Sequence, residues 1–380
     1  MMSETAALPI LDLSMADSLH QKQQLLGQLH DALFNVGFLY IKNHGIPQEK
    51  IKALTSLLPA LFDQTNEAKA SLSKMNSPHF LGYSGFAEEV TLGQKDLREQ
   101  FDFATELPIV YDPKGSTSDT SEGKDFSKLY YRLRGPNQWP YEKNVPGFRK
   151  AFLEYHDELQ ALSYRFVHLI EEAFDIPVGT FDAFFQRLTS ASNAAYKHHV
   201  PPQHRIKLVK YPALPSGLAR ENQGVGAHKD SSGWLTFLHQ VGEEEGLEVL
   251  DASGSWIRAP PIEGTFVVNF GNAFEAATEG AVKATIHRVI TQGPRLKPRY
   301  SIPFFQGLPL DLTVNEVRQC IPDHVRALRP VSERPNSLVS SFLDPRWDSL
   351  GESQLRKWIR SHENIAIKWY GNEVVSYYLQ

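Results

Sequence analysis

The spacing of apolar residues divides the chain into a helix-rich first half and a strand-rich second half. Leu25, Leu26, Leu29, Ala32, Leu33 and Val36 fall on one helical face, behind a short strand predicted over Pro9 to Leu13. The run Gly37 to Ile41 reads as a second strand, closed by Asn43, His44, Gly45 and Pro47. Phe148, Phe152, Tyr155, Leu159, Leu162, Phe166, Leu169 and Ala173 alternate steps of four and three, which predicts one long amphipathic helix between Pro146 and Pro177. The stretch Asp112 to Asp125 is rich in Ser, Thr and Gly, so it reads as a surface loop, either a tolerated insertion or a lid. From Arg205 the texture changes to short apolar runs punctuated by Gly and Pro. They are Arg205 to Tyr211, Trp234 to Gln240, Leu247 to Leu250, Trp256 to Ala259, Thr265 to Phe270, Ala284 to Ile290 and Tyr300 to Gln306. Such even spacing predicts an antiparallel sandwich or jelly roll. A strand-like Leu310 to Val314 and a charged helix around Ser353 to Ser361 follow. The changes of texture set four regions, 1–125, 126–200, 201–310 and 311–380.

Composition removes several function classes. With 41% apolar and 22% charged residues among 380, the chain has ordinary globular usage, which argues against disorder and collagen. Its 39 basic residues are scattered and outnumbered by 44 acidic ones, so no nucleic acid is expected as a partner. The longest apolar run, Ala32 to Ile41, is interrupted by Asn35 and falls short of the roughly 18 residues a bilayer span needs, so no membrane is expected either. Met1 to Leu8 lacks the basic and long apolar segments of a signal peptide. Cys320 is the only cysteine, which leaves no internal disulfide and no thiolate metal site; any metal must be held by His and carboxylate. The expectation is a cytoplasmic monomer.

One constellation carries chemistry. In Gly226-Ala227-His228-Lys229-Asp230, an extended backbone would put the His228 and Asp230 side chains on one face, about 6.6 Å apart at Cα. Taken alone the pair is cheap, since 14 His and 44 acidic residues supply about 1.6 His-x-acid triplets by chance. The other instance, His156 and Glu158, lies on the long predicted helix, where i and i+2 diverge, and reads as a solvated flank. His287, on a later strand-like run, offers a third ligand. Two His and one carboxylate occupy one face of an octahedral ion and leave three positions open, which suits non-haem Fe(II) acting on O2, although zinc could bind the same donors. Twelve and fourteen residues on, Arg299 and Ser301 share a strand face and offer a guanidinium and a hydroxyl to one carboxylate.

Further blocks surround these residues in order: Pro9-Ile10-Leu11-Asp12-Leu13, Gly37 to Ile46, Tyr211-Pro212, Leu235-Thr236, Gly246-Leu247-Glu248-Val249, Trp256, Gly264 to Asn269, His287-Arg288-Val289 and Arg299-Tyr300-Ser301. Through them the chain resembles, over most of its length, the isopenicillin N synthase-like group of 2-oxoglutarate and Fe(II)-dependent oxygenases. The resemblance implies a mainly β fold with flanking helices around a distorted double-stranded β-helix, or jelly roll. It implies that His228, Asp230 and His287 bind iron, that Arg299 and Ser301 hold the distal carboxylate of 2-oxoglutarate, and that Tyr211 adds a phenol hydrogen bond. Val209 stands where some members carry Asn, so that contact is missing or replaced. The activity implied is oxidation of an unactivated C–H of a small organic metabolite by O2, as hydroxylation, desaturation or ring closure. Succinate and CO2 would be released, with ascorbate as an accessory reductant. Two alternatives stay open, an Fe(II) oxidase of the same fold that does not use 2-oxoglutarate and a non-catalytic metabolite-binding scaffold.

The substrate pocket is less legible. Tyr83, Phe103, Asn269 and Phe305 are candidate substrate contacts, with Phe80, Phe86 and Phe101 nearby, and ordinary core packing explains each equally well. Alternation from Tyr211 also puts Val209, Lys207 and Arg205 on its face, so Lys207 is expected beside the cavity, where it would favour an anionic or carbonyl-bearing substrate.

Overall fold

Strand alternation builds the core. Along Arg205–Tyr211, Ile206 and Leu208 pack toward the helices while Arg205, Lys207, Val209 and Tyr211 face a central cavity. Along Arg299–Phe305, Ile302 and Phe304 point outward, and Arg299, Ser301, Pro303 and Phe305 inward. These two strands pair within an eight-stranded sheet ordered Ile10–Asp12, Phe38–Lys42, Thr265–Phe270, Leu235–Val241, Arg299–Phe305, Arg205–Tyr211, Glu99–Ala104, Gly82–Ser84. A second sheet of four strands runs Trp256–Arg258, Leu247–Leu250, His287–Thr291, Asn222–His228. Val209, Tyr211 and Val267 of the first sheet meet Val225, Leu247, Val249 and Val289 of the second in one apolar cluster, which closes the pair into a jelly roll. The computed structural model describes residues 8–91, 93–115, 124–185, 201–213, 222–230, 233–291, 296–328, 345–347 and 349–380. Most of the Asp112 to Asp125 loop, and with it the question of a lid, lies outside the described residues.

Four strands of the larger sheet come from the first 125 residues, so the N-terminal region is continuous with the barrel through hydrogen bonding. Gly37 makes one of these junctions possible. It sits at φ +68°, and a Cβ there would lie 2.5 Å from Thr285 Oγ1 and 2.6 Å from Lys283 O, on the segment leading into His287. The long helix spans Phe148–Ala173 and buries Phe148, Phe152, Tyr155, Leu159, Leu162, Phe166 and Leu169 against Leu19–Asn35 and the outer face of the sheet. Among the described residues no helix is long and apolar enough to cross a membrane.

Two local expectations fail. Leu310 to Val314 is not a strand: Thr313 caps the helix Val314–Gln319, accepting from Glu316 N at 3.2 Å while its own N–H donates to Glu316 Oε2 at 2.7 Å. That capping box overrides the β-branched composition of the run. His156 is not solvated; it is buried with its Nε2 2.9 Å from Thr105 Oγ1, while Glu158 does reach the surface and pairs with Lys50 at 2.5 Å. At the far end, Leu350–Ser361, Glu363–Tyr370 and Asn372–Leu379 form a helical cap. They pack Leu355, Trp358, Ile365, Tyr370 and Tyr378 against Phe80, Tyr130 and Tyr131.

Candidate active site

His228 ends the strand Asn222–His228 and His287 opens His287–Thr291, and the two residues are opposite one another in the antiparallel ladder. Asp230 lies two residues past the end of the first of these strands. One donor atom from each of the three lies within 4.8 Å of the others. His228 Nε2 is 3.8 Å, and His287 Nε2 3.6 Å, from Asp230 Oδ1. On the other side of each ring, Nδ1 is 2.7 Å from Gly226 O and 3.0 Å from Thr285 O respectively. A carbonyl only accepts, so each Nδ1 carries the proton and each Nε2 turns a lone pair toward the same point. Burial first, and then the neighbouring His287, push the His228 pKa down to about 3, which keeps this imidazole neutral.

Asp230 divides its oxygens. Oδ2 accepts from Thr236 Oγ1 and from Asn269 Nδ2, both at 2.7 Å, and Oδ1 faces the imidazoles. Burial raises the carboxyl's pKa, but the two imidazoles and these hydrogen bonds outweigh it and hold the value at about 2. Two imidazole nitrogens and one carboxylate oxygen, preset on one side of a point, fit a divalent ion that keeps further positions open.

Arg299 is 1% exposed. Its Nε donates to Glu244 O at 3.1 Å and its Nη2 to Gln240 Oε1 at 2.8 Å, with the guanidinium 5.0 Å from the centre of the Tyr211 ring. Nη1 has no hydrogen-bond partner among the described residues. A buried cationic N–H left without an acceptor is costly, so this atom marks where an anion fits. Ser301 is buried two residues along the same strand face, Tyr211 sits opposite Arg299, and Val209 sits opposite Ser301. The residues present therefore suit a carboxylate at this end of the cavity.

Both groups line one cavity of about 350 Å³, within the range of small-molecule sites. Lys207, Asn269 and Phe305 reach it as expected, although Asn269 is engaged with Asp230. Tyr83 and Phe103 do not. Tyr83 donates to Glu99 Oε2 at 2.6 Å, and Phe103 packs on Trp139, Phe148 and Phe152 under the long helix. Both lie on strands at the sheet's far edge, where the buried face belongs to the helical core. Phe80 stacks instead on Trp358 and Tyr370, and Phe86 is half exposed.

Several residues around the cavity carry little sequence signal. Gln240, four residues past Thr236 on Leu235–Val241, meets the site by accepting from Arg299 Nη2. Lys357 and Trp358 arrive from the C-terminal helix, and nothing in the local pattern announces them.

Comparison with known proteins places the chain. Residues 8–142 match the family described as non-haem dioxygenase in morphine synthesis N-terminal, and residues 202–307 match the 2OG-Fe(II) oxygenase superfamily. The chain is 38% identical over 369 residues to the 2-oxoglutarate-dependent dioxygenase frbJ of Dothideomycetidae sp. (strain 11243), covering 96% of this chain and 92% of that protein. It is 30% identical to a 2-oxoglutarate-dependent dioxygenase of Gibberella zeae, covering 97% and 93%. Among solved structures, a full-length Neurospora crassa protein in complex with alpha-KG superposes with a TM-score of 0.67 at 23% identity, over 91% of this chain and 97% of that one, which is a likeness of fold.

Proposed function

We propose how this site works from one premise: the chain belongs to the 2OG-Fe(II) oxygenase superfamily. It is a 2-oxoglutarate-dependent dioxygenase; Fe(II), 2-oxoglutarate and O2, when bound, supply the oxidation of a substrate C–H, with release of succinate and CO2. In our reading His228, Asp230 and His287 hold the ion through Nε2, Oδ1 and Nε2. The Gly226 and Thr285 carbonyls lock the imidazole tautomers, and Thr236 and Asn269 fix the carboxylate rotamer. Arg299 Nη1 and the Ser301 hydroxyl receive the distal carboxylate of 2-oxoglutarate, with Tyr211 beside them. Gln240 and Glu244 hold the guanidinium in place for that contact. Phe38, Val225, Leu247 and Val289 give the metal end an apolar wall that excludes water.

The observation that carries this reading is a three-donor cluster sharing one cavity with a buried guanidinium whose Nη1 has no acceptor among the described residues. We also read the protein as a monomer working in the cytoplasm; its lone Cys320, which has no partner for an internal disulfide, fits a reducing compartment. Anaerobic titration of the purified protein, first with Fe(II) and then with 2-oxoglutarate, tests the assignment. One ion per chain and a visible charge-transfer band are expected from the wild type, and neither from Asp230→Ala. Iron uptake by the variant equal to that of the wild type would overturn it.

A further inference from the structure

Metal donors and the Arg299 strand account for two sides of the cavity. A third is built by the helix Leu350–Ser361, whose Gln354, Lys357, Trp358 and Ser361 recur at helical spacing and face inward. Lys357 differs from its neighbours in having no partner among the described residues. Lys207 lies 3.7 Å from Asp102 Oδ1 and 4.0 Å from Glu89 Oε2. Arg98 is 3.0 Å from Glu89, and Lys229 is 2.9 Å from Glu275. Arg205 donates to the carbonyls of His79 and Leu133 at 2.8 and 3.0 Å, and stacks over Trp358. Lys357, by contrast, has no hydrogen bond and no carboxylate in ion-pair range among the described residues.

No acid on the described wall is free to serve it. Asp230 is committed to the imidazoles, Thr236 and Asn269. Glu89 already takes Lys74 at 2.8 Å, Gln100 at 2.8 Å, Arg98 at 3.0 Å and His362 at 3.2 Å. Burial first, then the charge of Lys207, lower the Lys357 pKa to about 8 against the opposing pull of Asp230 and Glu89, neither of which is within ion-pair range. A desolvated cation aimed into a ligand cavity is relieved by an arriving anion.

We propose that Lys357 receives a carboxylate of the primary substrate, which makes the substrate a small organic acid docked by its anionic end on the helix Leu350–Ser361. Its apolar body lies between Trp358 and the metal donors, so that the oxidised C–H is remote from the carboxylate. The sequence-based assignment of anion preference to Lys207 is thereby moved: Lys207 is held by two carboxylates, and the open cation is Lys357. This rests on the reading that Arg299 seats the cosubstrate at the other end.

The test is calorimetric titration of the full chain with matched acids and amides: phenylacetate and phenylacetamide, indole-3-acetate and indole-3-acetamide, octanoate and octanamide. It is run without O2, with and without Fe(II) and 2-oxoglutarate. At least one acid is expected to bind about tenfold or more tightly than its amide. Lys357→Met should abolish that preference and Lys357→Arg should keep it, while the dissociation constant of 2-oxoglutarate moves by less than about twofold in either. Lys357→Gln replaces the Met variant should the latter fail to fold. A wild type that binds none of the acids, or binds acid and amide alike, overturns the proposal, as does a preference that survives Lys357→Met. A loss of 2-oxoglutarate affinity in Lys357→Met also overturns it, by making Lys357 a cosubstrate contact. Failure of iron uptake would sink the metal assignment while leaving the acid and amide comparison on metal-free protein decisive, so the two readings fail separately.

Discussion

Arg299→Met removes a guanidinium while keeping most of the buried stem. In the native cavity Nε and Nη2 are spent on Glu244 O and Gln240 Oε1, and Nη1 is left over, so Nη1 is the donor that the distal carboxylate of 2-oxoglutarate should meet. A hydrogen bond between charged partners contributes about 1.5–3 kcal/mol, so the variant should bind 2-oxoglutarate roughly ten- to a hundredfold more weakly. A keto acid of the same chain length without the second carboxylate, 2-oxopentanoate, isolates that contribution. The wild type should prefer 2-oxoglutarate by the same factor, and Arg299→Met should bind the two about equally. Anaerobic calorimetry with Fe(II) present yields the four dissociation constants. A coupling energy near zero would refute the role given to Arg299. An equal loss for both acids would also refute it, since the effect would then come from a collapsed cavity wall.

Two further outcomes test the surroundings of the site. Gly37→Ala forces a side chain into the left-handed region and against Lys283 O, so it should cost about 1–2 kcal/mol in chemical denaturation and also weaken Fe(II) binding, because the same contact positions the run into His287. Unchanged iron affinity would show that the N-terminal strand does not set that ligand's place. Lys74→Met removes the cation 2.8 Å from both Glu89 and Asp102 and leaves Lys207, at 4.0 and 3.7 Å, as the cation they share, so it should lower stability at neutral pH by about 3 kcal/mol; a loss below about 1 kcal/mol in a denaturant titration would contradict it.

Two parts of the proposed site were legible because they are local. His228 and Asp230 are separated by one residue, and a short extended segment brings such side chains to one side whatever surrounds it. Arg299 and Ser301 obey the same alternation, as do Lys207, Val209 and Tyr211, all of which face the cavity. The aromatic candidates failed where period two says nothing. Glu99–Ala104 is buried on both faces, so alternation could not tell which face meets the cavity and which the helices, and Phe103 went to the helices. His156 shows the same limit on a helix, since its i+2 offset from Glu158 separates the two faces but does not say which is covered.

Periodicity, turn residues and the spacing of His, Asp and Arg sufficed to anticipate the jelly roll, the clustering of His228 with Asp230 and the inward face shared by Arg299 and Ser301, because these depend on backbone geometry that repeats every few residues. The partners of each charge depend on packing between segments far apart in the chain. Glu89 could have served Lys357 as readily as Lys74 on composition alone, and only the placement of the C-terminal helix over the barrel mouth leaves one ammonium unpaired among the described residues of the cavity. Coulomb energy falls off over a few ångströms in space, and a linear order of residues carries no information about those distances until the chain has folded.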